Sequence, residues 1–371
     1  MFENLETPCL LLDAEKVERN CHRMRTRIHE HGVVLRPHVK TAKNVEVVQR
    51  ALDAPAGPIT VSTLREAEYF FDHGFRDILY AVGIVPAKVP RAARLVRRGA
   101  RVTVIVDSVE AARALAEAAA IAGVRLPALI EIDSDGHRAG IPPGHLSLLE
   151  VAGALGEAMY GVMTHAGDSY NCQSVEAIRE VAERERDAVV TSAETLRRRG
   201  YACPVVSVGS TPTATFAGSF RGVSEVRTGV YVFHDLVMAG LGVCAIDDIA
   251  LSVLGAVIGH QRDKGWILTD AGWMALSRDR GTARQKVDQG YGVVCDAQGR
   301  PIEDLIVADA NQEHGIVARR GGGPIDPARF PIGTLLRVLP NHACATAAQH
   351  AEYHVLREGK LCEVWERFGG W

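Results

Sequence analysis

At 371 residues the chain is too long for one ordinary hydrophobic core, which predicts two domains. Its 47% hydrophobic and 23% charged residues, with a formal net charge of -3, give no basic excess to bind nucleic acid or an anionic membrane surface. No apolar run approaches the ~18 residues of a membrane span, and residues Met1 to Glu6 lack the charged and apolar regions of a secretory signal. The eight cysteines are scattered without a CxxC pair, which points to reduced thiols and a cytoplasmic location.

Taken in order, Thr7 to Asp13 reads as a short buried strand, followed by a helix over Ala14 to Glu30 with Val17, Cys21, Met24 and Ile28 at helical spacing. Val33 to Lys40 reads as a second strand ending in Arg36-Pro37-His38-Val39-Lys40-Thr41. A strand-then-helix pattern follows, with strands at 59–62, 77–82, 102–106, 128–132, 160–164, 205–208 and 225–233 and helices such as 64–73, 109–122 and 175–199. Strict alternation implies a parallel sheet. Eight units between residues 33 and 233 fit a closed eight-stranded β/α barrel better than an open doubly wound sheet, which would carry GxGxxG after its first strand.

From about Val243 the pattern changes to strands without long helices: 249–260, 265–270, 290–294, 305–308, 315–318 and 334–339, then a hairpin over 352–364 turning at Glu358-Gly359. The expected fold class is therefore α/β: a (β/α)8 barrel over residues 14–242, and an antiparallel β domain over 243–371 that takes in the N-terminal strand 1–13.

In such a barrel the site forms at the C-terminal ends of the strands. The residues expected there are His38 and Lys40, the run Asp133 to Arg138, Thr164-His165 with Asp168 and Tyr170 after it, Gly209-Ser210-Thr211-Pro212-Thr213, and Arg227-Thr228-Gly229-Val230-Tyr231. Alone, a lysine at a strand tip is more often a solvated charge than a reactive amine. Here it faces small and hydroxyl residues after the seventh and eighth strands, where barrels bind phosphate. That combination suggests pyridoxal phosphate held by Lys40, with a sugar phosphate and a lysine base as the competing reading. A second constellation is Pro340-Asn341-His342-Ala343-Cys344. His342 and Cys344, two apart on an expected extended segment, would point to one side and could hold a metal, though H-x-C alone is a weak signal.

These motifs, in this order, resemble the metal-activated pyridoxal enzymes of the D-serine dehydratase and D-threonine aldolase group, which share the alanine racemase fold. The resemblance implies that Lys40 carries the cofactor, that His165 lies against its ring, and that Arg138 approaches its phenolic oxygen. It places Arg227 at the pyridine nitrogen, and Ser210, Thr211, Gly229, Val230 and Tyr231 around the phosphate end. Tyr170 is a candidate substrate contact. His342 and Cys344 match the divalent-metal ligands, zinc by thiolate and imidazole preference, with manganese, cobalt or magnesium as alternatives. The aldolases typically carry Asp at the position of Cys344, so this chain tilts toward dehydration. The implied reaction converts D-threo-3-hydroxyaspartate to oxaloacetate and ammonia, with D-serine dehydration or D-threonine cleavage as alternatives. The expected partners are a small D-amino acid and a second copy of the chain in a homodimer. The basic segment Arg278 to Lys286 could meet a second substrate carboxylate, against a default reading of solvated surface.

Overall fold

The computed structural model describes residue 2, residues 4–136 and residues 138–371. His137, part of the expected loop after the fifth barrel strand, lies outside them. The chain divides into two compact units, Cys21–Gly229 with Gly370–Trp371, and Met1–Asn20 with Val230–Gly369. The change in element character falls later, near Val243.

The strands in chain order are β1 (Cys9–Asp13), β2 (Val34–Leu35), β3 (Ile59–Val61), β4 (Asp77–Gly83), β5 (Arg101–Val106), β6 (Ala128–Glu131), β7 (Met159–Met163), β8 (Val205–Val208) and β9 (Glu225–Val226). The second unit adds β10 (Leu251–Gln261), β11 (Trp266–Thr269), β12 (Gly292–Cys295), β13 (Pro301–Ala310), β14 (Gly315–Arg319), β15 (Leu335–Pro340), β16 (Glu352–Arg357) and β17 (Lys360–Glu366).

In the first unit, β2 to β9 form one parallel sheet in the order β2-β9-β8-β7-β6-β5-β4-β3. The sheet closes on itself through a bridge between His38 and Thr60, with Val39 N donating to Thr60 O at 2.9 Å and Thr60 N to Pro37 O at 2.8 Å. Leu79, Ile105, Leu129 and Met163, one from each of four neighbouring strands, pack together in its interior. The loops entering the helices end in capping residues. Thr63, Ser108, Ser174 and Ser210 each accept a hydrogen bond from the backbone N–H three residues on, which satisfies a donor that has no partner inside the helix.

Two of the expected barrel strands are shorter than their apolar runs. β2 covers only Val34–Leu35, and Lys40 lies in the turn that follows, where Lys43 N bonds back to Val39 O at 2.8 Å. Ladder bonds to the β9 side continue past it, from Arg36 N to Val226 O and from His38 N to Thr228 O, but Pro37 has no N–H to donate. β9 ends at Val226, not at Phe233. Val230–Val232 is a 3-10 turn, and Val230, Tyr231, Val232 and Phe233 are all buried. A fully buried helical turn and a fully buried strand look alike in sequence.

In the second unit, β10, β11, β14, β13, β12 and β15 close into an antiparallel barrel, because β10 pairs with β15 through one half and with β11 through the other. β1 joins the same sheet, antiparallel to β10 and parallel to β16. β16 and β17 form a hairpin whose turn residues Glu358 and Gly359 both take positive φ, 48° and 72°, as a tight two-residue hairpin turn requires. Leu236, Ile249, Val293, Cys295, Ile306 and Leu339 form one core cluster; Phe2, Cys9, Leu11, Leu254 and Leu356 form another.

Candidate active site

The C-terminal mouth of the first unit collects Lys40, His38, Arg138, His165 and Arg227. Lys40 is exposed, at the first turn after β2. His165 follows β7, and its Nδ1–H donates to Gly209 O across the tip of β8 at 2.6 Å. Burial pushes the His165 imidazole down to about 3, and the positive charges of Lys40, Arg227 and Arg138 add to the effect. His165 is therefore a neutral ring with its tautomer set by Gly209. His38 is likewise pushed well below its ordinary value, by burial first and then by Lys40 and Arg227.

Arg227 is buried, with Nε donating to Ser207 Oγ at 2.9 Å and Nη2 to Thr164 O. Ser207 Oγ in turn donates to Glu225 Oε1 at 2.7 Å. The other Glu225 oxygen meets Arg36 Nε at 2.7 Å, and Arg36 Nη1 meets Asp77 at 2.8 Å. Arg36 therefore turns away from Lys40, although the two share one motif. Its partners Asp77 and Glu225 open β4 and β9, so it braces the N-terminal end of the barrel. Arg138 is exposed, with Nη2 at 3.5 Å from Glu131. The Tyr170 ring stands 6.2 Å from the His165 ring at 41°.

Ser210, Thr211, Thr228 and Gly229 meet after β8 and β9. Ser210 Oγ caps its helix by accepting from Thr213 N at 3.2 Å and lies 2.8 Å from Ser169 Oγ; Thr211 Oγ1 lies 2.5 Å from Thr228 Oγ1. The hydroxyls are thus largely committed within the protein. Among the described residues, the backbone N–H groups of Thr211 and Gly229 find no backbone acceptor in the loops and turns, so both could meet an anion. A Cβ on Gly229 would come 2.8 Å from His38 O and 3.1 Å from Thr41 Oγ1. Gly229 is small because the Lys40 segment passes against it. Val230 and Tyr231 continue into the buried 3-10 turn.

In the second unit, the segment carrying His342 and Cys344 is not extended. β15 ends at Pro340, His342 is the cap of a five-residue helix Ala343–Ala347, and Cys344 lies in its first turn. The expected alternation of an extended segment does not apply, but the two side chains still lie close enough for Cys344 to act on the His342 imidazole. Nδ1 of His342 lies 2.6 Å from Asp279 Oδ2. Burial alone would lower the imidazole, but the bonds to Asp279 and Cys344 and the buried Asp235 overcome it and push it up to about 11. Asp235 also accepts from Ala343 N at 2.9 Å, which fixes the start of the ligand helix.

This donor set suits a cation. With Nδ1–H held by a carboxylate, Nε2 is the nitrogen left to take an ion, which would displace its proton, and this is the arrangement that orients metal-bound histidines elsewhere. Among the described residues no third histidine, cysteine or carboxylate joins the pair in a metal-holding group, so an ion bound by His342 and Cys344 would keep open positions. Asp279 is the residue that sequence reasoning missed. It lies inside the basic run 278–286, which signalled only cations. Two cations of that run are engaged nearby: Arg278 stacks on Trp273 and Arg280 pairs with Asp288 at 2.7 Å.

Residues 12–236 match the family model for the alanine racemase N-terminal domain, and residues 250–356 match that for a putative serine dehydratase domain. The chain is 54% identical to D-threo-3-hydroxyaspartate dehydratase of Delftia sp. (strain HT23), over 99% of this chain and 98% of the relative. The chain belongs to the serine dehydratase family of alanine racemase-like proteins. The solved structure of the Delftia enzyme superposes on this family member with a TM-score of 0.97 at 53% identity, covering 99% of each chain. D-serine dehydratase of Dictyostelium discoideum is 32% identical over 96% of this chain and 94% of its own. Solved relatives include a histidine-to-alanine mutant of D-threo-3-hydroxyaspartate dehydratase and a cysteine-to-alanine mutant two positions further on, the latter in a metal-free form, each with a TM-score of 0.97 at 52% identity over 99% of this chain. Among the described residues no helix is long and apolar enough to cross a membrane.

Proposed function

We propose that this chain is a dehydratase that converts D-threo-3-hydroxyaspartate to oxaloacetate and ammonia, using pyridoxal phosphate and a divalent ion. The observation that carries the reading is the His342–Cys344 pair, oriented by Asp279, in a chain that is similar from end to end to a D-threo-3-hydroxyaspartate dehydratase. The relative's mutated histidine and cysteine have the same spacing of two.

Bound cofactor supplies an electron sink for the charge left at Cα, and a bound cation supplies Lewis acidity at the departing 3-hydroxyl. Lys40 Nζ holds the cofactor and then takes the α-proton. Its exposed position at the barrel mouth gives it reach for both roles. His165 offers a neutral face to the ring because its Nδ1–H is committed to Gly209. Arg227, held by Ser207 and Thr164, stays a fixed donor at the pyridine nitrogen, and Arg138 serves the phenolic oxygen. Thr211 and Gly229 N–H groups, with Ser210, Val230 and Tyr231 around them, take the phosphate. Tyr170 contacts substrate. His342 Nε2 and Cys344 Sγ hold the ion, zinc by donor preference. A cytoplasmic homodimer completes the proposal; a monomeric mass with full activity would remove the dimer.

Incubating the protein with pyridoxal phosphate, a divalent metal and a panel of D-3-hydroxyamino acids tests the reading. The expected result is stoichiometric 2-oxo acid and ammonia, with the highest kcat/KM on D-threo-3-hydroxyaspartate. Glycine and an aldehyde would instead mark a retro-aldol enzyme, and a higher kcat/KM on D-serine would move the substrate assignment.

Gly229→Val is expected to weaken pyridoxal phosphate binding by roughly tenfold or more, because its side chain must displace the His38 carbonyl two residues from Lys40. Titration of cofactor-free protein reads this directly. Unchanged affinity would place the phosphate elsewhere.

A further inference from the structure

Glu185 lies near the middle of the helix Val175–Arg198 and is 2% exposed. The mechanism above gives this acid no role. Its hydrogen-bond partners are backbone N–H groups, and no cation pairs with it among the described residues. Oε1 accepts from Gly209 N at 2.8 Å and from Ala166 N at 3.2 Å. Those two residues belong to the loops after β8 and β7, which carry the ring-facing His165 and the phosphate-facing Ser210 and Thr211. The Thr213 hydroxyl stands near enough to Glu185 to draw its carboxyl down against the rise that burial causes, and Ser210 N donates to that same hydroxyl at 3.3 Å. One side chain thus reaches both strand tips directly and stands beside the hydroxyl that holds the phosphate loop.

We propose that Glu185 is a positioning residue that locks the tips after β7 and β8 into one surface, and so sets His165 and the Gly209–Thr211 loop against pyridoxal phosphate. The role rests on the cofactor reading above. Gly209 is the joint of the device. Its N–H goes to Glu185 while its carbonyl accepts from His165 Nδ1 at 2.6 Å, so the carboxylate fixes the peptide that in turn fixes the ring. Gly209 can serve because it has no side chain: a Cβ there would collide with the Arg227 carbonyl. The carboxylate itself is held by its helix, whose flanking residues Val181, Ala182, Ala188 and Val189 are buried. A buried acid that merely stabilised the fold could satisfy any loop N–H. Glu185 takes the two that adjoin the ring and phosphate contacts.

The test compares the wild type with Glu185→Gln and Glu185→Met, each prepared free of cofactor. Glutamine keeps an oxygen for both N–H groups; methionine fills the volume without an acceptor. Three quantities are read: pyridoxal phosphate affinity, the wavelength of the bound cofactor's visible band, and Tm without cofactor. Glu185→Met is expected to bind roughly tenfold more weakly or worse with a shifted band, and Glu185→Gln to stay within about threefold of the wild type. If Glu185→Met does not fold, Thr213→Val cuts only the arm to Ser210 and is expected to weaken binding by about threefold with Tm near the wild-type value. A folded Glu185→Met, or in its place a folded Thr213→Val, with wild-type affinity and band overturns the role. So does a Glu185→Gln as weak as Glu185→Met. A wild type that takes up no pyridoxal phosphate overturns the cofactor reading and this role with it.

Discussion

Lys40→Ala is expected to leave a folded protein with no turnover and no visible cofactor band. Lys40 is exposed in a turn, and surface substitutions away from special contacts cost within about 0.5 kcal/mol of stability. Function has no such tolerance. Loss of a positioned proton acceptor alone costs about 10²–10⁴ in rate, and loss of the amine also removes the covalent tie to the cofactor. The neighbouring lysine offers no substitute. Lys43 Nζ is committed to the buried Glu66 at 3.3 Å. Borohydride reduction of the loaded wild type followed by peptide mapping checks the assignment. Label on a lysine other than Lys40 would defeat it.

The second large effect concerns the cation. Exhaustive chelation, or Cys344→Ala, is expected to abolish dehydration while the cofactor band stays. The departing 3-hydroxyl is a poor leaving group, and a Lewis acid is worth several kcal/mol at such an oxygen; a loss of ~3–4 kcal/mol corresponds to about two to three orders of magnitude in rate. Asp279→Asn should fall between. It keeps both ligands but weakens the orientation of His342, a change that typically lowers metal affinity about 10–100-fold. Metal content and residual rate measured on the same samples decide the matter. Full turnover at near-zero metal content would leave the pair a structural contact.

Much of the architecture was legible because the β/α units repeat the same physical sign, a short apolar run and then a helical pattern. The exceptions share a cause. Val230 to Phe233 is buried on all sides, so its residues carry no periodicity to separate strand from turn. The helix after His342 is five residues long, too short to show a 3.6-residue pattern. At the site, sequence could name Lys40, His165 and the Gly-Ser-Thr loop, because strand tips in a barrel converge. It could not aim side chains. Arg36 and Lys40 stand four apart in one motif, and the structure sends Arg36 to Asp77 and Glu225. Glu185 did carry a sign. It falls on the apolar stripe of Ile178, Val181, Ala182, Ala188 and Val189, where a charge is out of place unless something polar meets it.

The first strand has consequences for synthesis. β1 is a run of Cys and Leu whose residues Leu10, Leu11 and Leu12 are at most 1% exposed once folded. Its partners come late: Leu12 lies opposite Leu251, and Leu11 opposite His354. Roughly 240 residues separate Leu12 from its earlier partner, which at ~5–20 residues per second of translation is a wait on the order of tens of seconds. Throughout that interval a sticky, hydrogen-bond-hungry segment trails from the nascent chain while the β/α barrel assembles behind it. The antiparallel unit can therefore only finish after synthesis of nearly the whole polypeptide.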